Sequence, residues 1–216
     1  YLIDCGMYVM ESIRIAGVDM SKITDIFVTH LHADHFVAEH AAQIAAGKEK
    51  PLRLWVRRDA QLPPMENVEV VYLPRHTEVR ITEDLSVVSV DANHDPKSFP
   101  QHFIFTIHGK KLLYALDGGW FLTETYNFMR KVKMDMAVLD ATCGESLGEW
   151  RVGEHNSLPM LRILVSALKT WGTFDGETKI YLSHIAPKLH APHAQIVENV
   201  AKDGLLVACD GLTVLL

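Results

Sequence analysis

The sequence predicts an α/β domain in which two β-sheets pack together and helices lie outside them. Three observations support this. Short β-branched segments follow one another through residues 51–92, helical patterns alternate with apolar strands after residue 120, and a strand, a loop and a helix succeed one another over residues 23–46. The chain has 216 residues, 48% of them hydrophobic, enough for one sizeable core, so a single domain over 1–216 is expected.

Tyr1-Leu2-Ile3-Asp4-Cys5-Gly6 reads as the end of a strand, and because no methionine precedes it, further sequence is expected before Tyr1. Residues 23–28 are branched and aromatic, the pattern of a buried strand. Residues 36–46 are alanine-rich and stop at Gly47, as a helix does. Strands are expected at 51–56, 68–73, 78–82 and 85–92. "HFIFTI" and "KLLYAL" flank His108-Gly109-Lys110, a connection suited to a hairpin that delivers Asp117 to a strand end. A helix over 121–132, a strand "MAVLD" over 136–140 and a helix over 157–171 follow, the last with Leu158, Leu161, Leu164, Leu168 and Trp171 at helical spacing. "KIYLS" is another buried strand, and an amphipathic helix at 191–203 precedes two apolar stretches, 205–208 and 212–216.

Composition narrows the function classes. The formal charge is −6, and the 21 Lys and Arg residues form no run that would track a phosphate backbone, so a nucleic-acid partner is disfavoured against a small-molecule substrate. The three cysteines, Cys5, Cys143 and Cys209, match neither a disulfide framework nor a thiolate zinc motif, which points to a reducing cytoplasm. No apolar stretch approaches the roughly 20 residues that span a bilayer, so no membrane role is expected.

Chemistry concentrates in "THLHADHF", residues 29–36, directly after the apolar run. His30 and His32, two apart on an extended segment, project to the same side and are placed to grip one ion, while Asp34 and His35 fall where the chain turns toward the helix and would face a second. Three more candidates follow apolar strands: His94 in "DANHD", Asp117 in "YALDGG" and His184 in "YLSHI". Core packing does not explain such a set. Imidazole and carboxylate without thiolate suit zinc, manganese or iron.

The pattern His30-x-His32-x-Asp34-His35, then His94, Asp117 and His184, resembles the metallo-β-lactamase fold superfamily of dinuclear metal hydrolases along nearly the whole chain. The resemblance implies a four-layer αββα sandwich. It also implies that His30, His32 and His94 hold one ion, that Asp34, His35 and His184 hold the other, and that Asp117 bridges both; two zinc ions are expected, with manganese as the alternative. The oxygen-reducing diiron members carry Glu where this chain has His32, and the zinc β-lactamases commonly carry Cys where it has Asp117. The order "MAVLDAT", "EHNSL", "IYLSHI" and "CDGLTV" is similar to the phosphodiesterase branch, which includes the transfer-RNA 3′-processing enzymes and the cyclic phosphodiesterase that accompanies carbon-phosphorus lyase. In that comparison His155 matches a histidine thought to act in catalysis.

The expected activity is therefore hydrolysis of a small phosphodiester, a cyclic nucleotide or sugar phosphate, by metal-activated water. Asp34 would orient the water or accept its proton, and His155 would donate a proton to the leaving alkoxide. The plainer role for His155 is helix entry, beside a cap formed by Asn156 or Ser157. Trp120 is placed to wall the pocket or simply to pack. His102 reads mainly as a strand residue, His40, His76 and His108 as helix, loop and turn residues, His190 and His193 as loop residues, and Cys143 as a buried inert thiol. A thioester or lactone hydrolase on the same centre, a transfer-RNA 3′-processing nuclease and a non-enzymatic binding protein are the alternatives. A homodimer is compatible with all of them.

Overall fold

A computed structural model describes residues 1–146 and 148–216. The chain is a mixed α/β structure with two sheets and five α-helices among the described residues. It divides into two compact units, the first comprising residues 1–75 and 96–101, the second residues 76–95 and 102–216.

The first unit is built on a parallel four-stranded sheet, in the order β1 (Leu2–Ile3), β2 (Asp25–Phe27), β3 (Leu52–Arg57) and β4 (Val68–Leu73). Parallel neighbours need crossover connections. Two are helical here, α1 (Val9–Ala16) between β1 and β2, and α2 (Ala38–Ala45) between β2 and β3. The sequence pattern did not single out α1, because it is eight residues long and only Ile13 on it is buried, too little to write a helical period. It stops at Gly17, whose φ of 64° is the left-handed conformation of a helix C-terminus. Ile26, Ile44, Leu52, Leu54 and Val56 form the core of this unit.

The second unit carries a seven-stranded mixed sheet. Along it run β11 (Leu206–Val207), β10 (Lys179–Ser183), β9 (Met136–Asp140), β8 (Lys110–Ala115), β7 (Gln101–Ile107), β6 (Leu85–Asp91) and β5 (Glu78–Arg80). The four strands β8 to β11 are parallel, whereas β7 and β8 form the expected hairpin through His108 and Gly109, both at positive φ. Helices α3 (Thr123–Met129), α4 (Leu158–Thr170) and α5 (His193–Ala201) interleave with the later strands. The apolar stripe read from the sequence, Leu158, Leu161, Leu164 and Leu168, is buried, and Ser157 caps α4 by accepting from the Met160 N–H. The terminal stretch 212–216 forms no regular element; its Leu215 carbonyl accepts from Lys179 Nζ.

Both units place polar residues at the carboxyl ends of strands. β2 runs into the "THLHADH" segment, and β6, β8, β9 and β10 end just before or at His94, Asp117, Asp140 and His184. Side chains beyond the carboxyl ends of parallel strands are the ones a loop can gather, while those within the strands are committed to the core.

Candidate metal centre

In the first unit the four predicted residues of the motif are together. His30 is buried, with its Nε2 3.0 Å from His32 Nδ1, and its ring lies 4.2 Å, centroid to centroid, from that of His35. Two imidazole nitrogens on one tetrahedral ion sit about 3.3 Å apart, from metal–nitrogen distances near 2.0–2.1 Å, so this pair has the spacing of co-ligands. His35 is oriented from behind: its Nδ1 lies 2.7 Å from Asp4 Oδ2, which directs Nε2 to the other side, 3.7 Å from Asp34 Oδ2. Asp34 is the exposed member.

Asp4 is the residue that the sequence reading of the motif left out. Its carboxylate accepts from the Thr29 N–H at 2.7 Å and the Thr29 hydroxyl, as well as facing His35. Burial raises its pKa, and the partnership with His35 and Thr29 opposes that rise. A carboxylate behind a ligand histidine fixes the ring's orientation and increases its basicity. Its neighbour Gly6 is needed for sterics, since a Cβ there would stand 1.7 Å from the Asp34 carbonyl oxygen. The short run Asp4-Cys5-Gly6 thus braces the histidine segment, with Cys5 N–H donating to the His35 carbonyl and Met7 N–H to that of Ala33.

In the second unit Asp117, His155 and His184 surround Asp140, the last residue of β9. Asp117, Asp140, His155 and His184 offer ligand-type atoms that all lie within 4.8 Å of one another. Asp140 is fully buried and already engaged: Oδ1 accepts from the N–H groups of Thr142 and Asn156, and Oδ2 accepts from the Thr142 hydroxyl and faces His155 Nδ1 at 2.9 Å. That saturation makes Asp140 an anchor for its neighbours. Its signal in the sequence was an acid closing an otherwise apolar strand, "MAVLD".

His184 and Asp117 are arranged differently. His184 Nδ1 lies 2.7 Å from Thr142 Oγ1, and since that hydroxyl donates to Asp140, the ring nitrogen takes the donor role and leaves a lone pair on Nε2. That Nε2 is 3.2 Å from Asp117 Oδ2. A lone pair and a carboxylate oxygen at this distance repel unless a proton or a cation lies between them, and the spacing again suits two ligands of one ion. Asp117 and His184 both adopt positive φ, 49° and 55°, a strained conformation for residues with a Cβ and one often concentrated at functional sites. The donor set fits a divalent cation.

His155 stacks on His184, with ring centroids 5.4 Å apart and planes 8° from parallel, and meets the His94 ring edge-on at 5.1 Å. Burial pushes its pKa down, but the hydrogen bond and charge of Asp140, with the charge of Asp117 4.0 Å away, more than offset this and leave it raised. The Asp140 contact assigns a proton to Nδ1 and turns Nε2 outward. His94 is buried, its Nδ1 3.3 Å from the Glu154 carbonyl. The helix-entry reading of this segment holds as well, through Ser157, while Asn156 ties the loop down by donating to the Gly118 carbonyl.

The remaining candidates separate cleanly. His102 is fully buried on β7, and burial pushes its pKa down to about 4; neither ring nitrogen finds a hydrogen-bond partner among the described residues. Its ring occupies the space above Gly118, where a Cβ would come within 2.5 Å of it. Burial pushes the Cys143 thiol up to about 11, in keeping with an inert role. His190 Nε2 lies 2.6 Å from the Ala141 carbonyl, His193 opens α5, and Trp120 is 42% exposed.

Comparison with solved structures supplies the fold family. A diphosphatase of the PhnP family superposes with a TM-score of 0.70 over 98% of this chain and 77% of its own, at 19% identity. The metallo-β-lactamase fold protein YhfI from Bacillus subtilis superposes with a TM-score of 0.72 over 98% of this chain and 85% of its own, at 12% identity. This chain has the metallo-β-lactamase fold. In sequence, a protein-family model described as anti-Pycsar protein Apyc1 matches residues 1–63. Ribonuclease Z of Methanothermobacter thermautotrophicus is 34% identical over 58 residues, 26% of this chain and 19% of that enzyme, so the match spans under a fifth of the curated relative. Among the described residues no helix is long and apolar enough to cross a membrane.

Proposed function

We propose that this protein is a dinuclear metal-dependent phosphodiesterase acting on a small cyclic nucleotide or sugar phosphate in the cytoplasm. The ligand set we assign is His30, His32 and His94 for one ion, Asp34, His35 and His184 for the other, with Asp117 shared, and zinc as the favoured metal. The donor spacings within each unit support it, as does the use of Asp4 and Asp140 as buried carboxylates behind histidines. When bound, two such ions supply an activated water and neutralise charge on the attacked phosphoryl group.

One observation carries the phosphodiesterase reading: His155 is held at Nδ1 by a buried carboxylate, stacked on a proposed ligand, with its pKa raised. An alkyl phosphodiester expels a poor leaving group that needs a proton, and an imidazole held toward its charged form by Asp140 is suited to give one from Nε2. Asp140 then stabilises the charged form before transfer and keeps the ring in one tautomer after it. Asp34, exposed beside His35, would orient the water or accept its proton. The relatives named for phosphorus chemistry, the diphosphatase and ribonuclease Z, agree with this class of substrate.

The test is a substrate panel of bis-p-nitrophenyl phosphate, cyclic nucleotides, a lactone and a thioester, each with Zn²⁺ and Mn²⁺, alongside metal analysis. Turnover of a cyclic nucleotide with two metals per chain is the expected result. Turnover confined to the lactone or thioester would replace the phosphodiesterase reading by an ester hydrolase.

A further inference from the structure

A cavity of about 470 Å³ lies in the second unit against β6, β7 and α3, lined by side chains that the proposed phosphodiesterase chemistry does not use. Its rim is cationic in a chain of formal charge −6: Lys111, Lys131 and Lys133 line it, against one acid, Glu78. Lys133 is paired with Asp175 at 2.6 Å, and Glu78 accepts from the Ser86 hydroxyl. Among the described residues the Lys111 ammonium bonds only a neutral group, the Thr106 hydroxyl at 3.0 Å, and Lys131 makes no ion pair. Two cationic charges are therefore available to a ligand.

The floor is apolar and partly aromatic. Phe128 and Val132, only partly buried, line it together with Val88 and Ile104. On Phe128 stacks His76, 5.3 Å centroid to centroid and 15° from parallel. His76 has φ 53°, strained for a residue with a Cβ, and its Nε2 is buried without a hydrogen-bond partner among the described residues.

We propose that this cavity is a binding site for a small phosphorylated aromatic anion of the nucleoside monophosphate type. Lys111 and Lys131 take the phosphate as charge-assisted donors. The apolar floor of Val88, Ile104, Phe128 and Val132 takes the flat base, beside the His76 ring. The volume falls in the range of small-molecule pockets. A simple inorganic anion would leave the apolar floor unused, which is why an aromatic phosphate is the better fit. This site is independent of the metal centre.

The experiment is calorimetric titration of the metal-loaded protein with adenosine 5′-monophosphate, adenosine and inorganic phosphate as separate probes. In the His184→Ala variant, which disables only the proposed metal centre, one monophosphate site should remain. In Lys131→Ala its affinity should fall about tenfold, and further in Lys111→Gln/Lys131→Glu, in line with the loss of one and then two charge-assisted contacts. The lysine variants should hydrolyse bis-p-nitrophenyl phosphate at the parental rate in the absence of nucleotide. Monophosphate binding that disappears in His184→Ala, or that the lysine variants retain at full strength, would overturn the proposal. Binding of phosphate alone as tightly as the nucleotide would overturn the aromatic half of it.

Discussion

At the scale of single residues, the geometry assigns His155 and His102 opposite fates although both are histidines in the second unit. His155 hydrogen-bonds Asp140, feels Asp117 as well, and is pushed toward the charged form; at His102 burial outweighs the charges of Asp140 and Asp117 and pushes the ring toward the neutral one. For His155→Ala, kcat on an alkyl phosphodiester should fall by about 10²–10⁴-fold with metal content unchanged, and less on p-nitrophenyl esters, whose leaving group needs little protonation. Asp140→Asn should lower the same rate in the same direction, and a parental rate in both variants would leave His155 as a helix-entry residue alone. His102 makes a stability prediction. Its folded pKa near 4 lies below the unfolded value of 6.5, so the unfolded chain binds the extra proton. Stability is then fully present above pH 6.5 and declines as pH falls toward 4, by up to about 3 kcal/mol, with no further loss from this group below that. Denaturant titrations across this range should show the slope, and His102→Leu should flatten it.

At the scale of elements, the positions that matter most are where one backbone approaches another. The run Asp4-Cys5-Gly6 leaves β1 and braces the histidine segment, and the 1.7 Å approach at Gly6 leaves no room for a methyl group. Gly6→Ala should therefore displace the Asp34 and His35 backbone, reducing bound metal and activity together, while a conservative change on the exposed face of the neighbouring α1 should not. Metal analysis of the purified variant checks this; a full metal complement would show that the close approach is dispensable. The loop before α4 is braced in a comparable way, with Asn156 linking Asp140 to Gly118 while Ser157 caps the helix.

For the molecule as a whole, the clustering of imidazoles and carboxylates at strand ends is a cost that a bound cation removes. Rings at 4.2 Å and 5.4 Å and a carboxylate facing an imidazole lone pair are tolerable in the folded state but gain when neutralised. A ligand that binds only the folded chain stabilises it by about 2.7 kcal/mol at a hundredfold excess over its Kd. For a protein of this length that corresponds to a rise in Tm of about 5–10 °C on adding Zn²⁺ to stripped protein. Asp117→Ala should shrink the rise and abolish activity, and a melting temperature indifferent to metal and chelator would contradict the metal centre.

The sequence by itself determined the α/β class, most strand positions, the β7–β8 hairpin and the stripe of α4, because hydrophobic period and turn chemistry are local. It also singled out His30, His32, Asp34, His35, His94, Asp117 and His184 as candidate ligands, since polar residues that close apolar runs stand out against their surroundings. Only the tertiary structure decided what lies behind them. Asp4 and Asp140 act through partners 31 and 15 residues away, His35 and His155, and nothing in their own neighbourhoods tells a buried anchoring carboxylate from a strand-end acid. The same holds for Gly6 and His102, whose roles arise from contacts with Asp34 and Gly118. Packing between segments distant in sequence sets the steric and dielectric environment of such residues, and with it the orientation and protonation that a linear pattern does not encode.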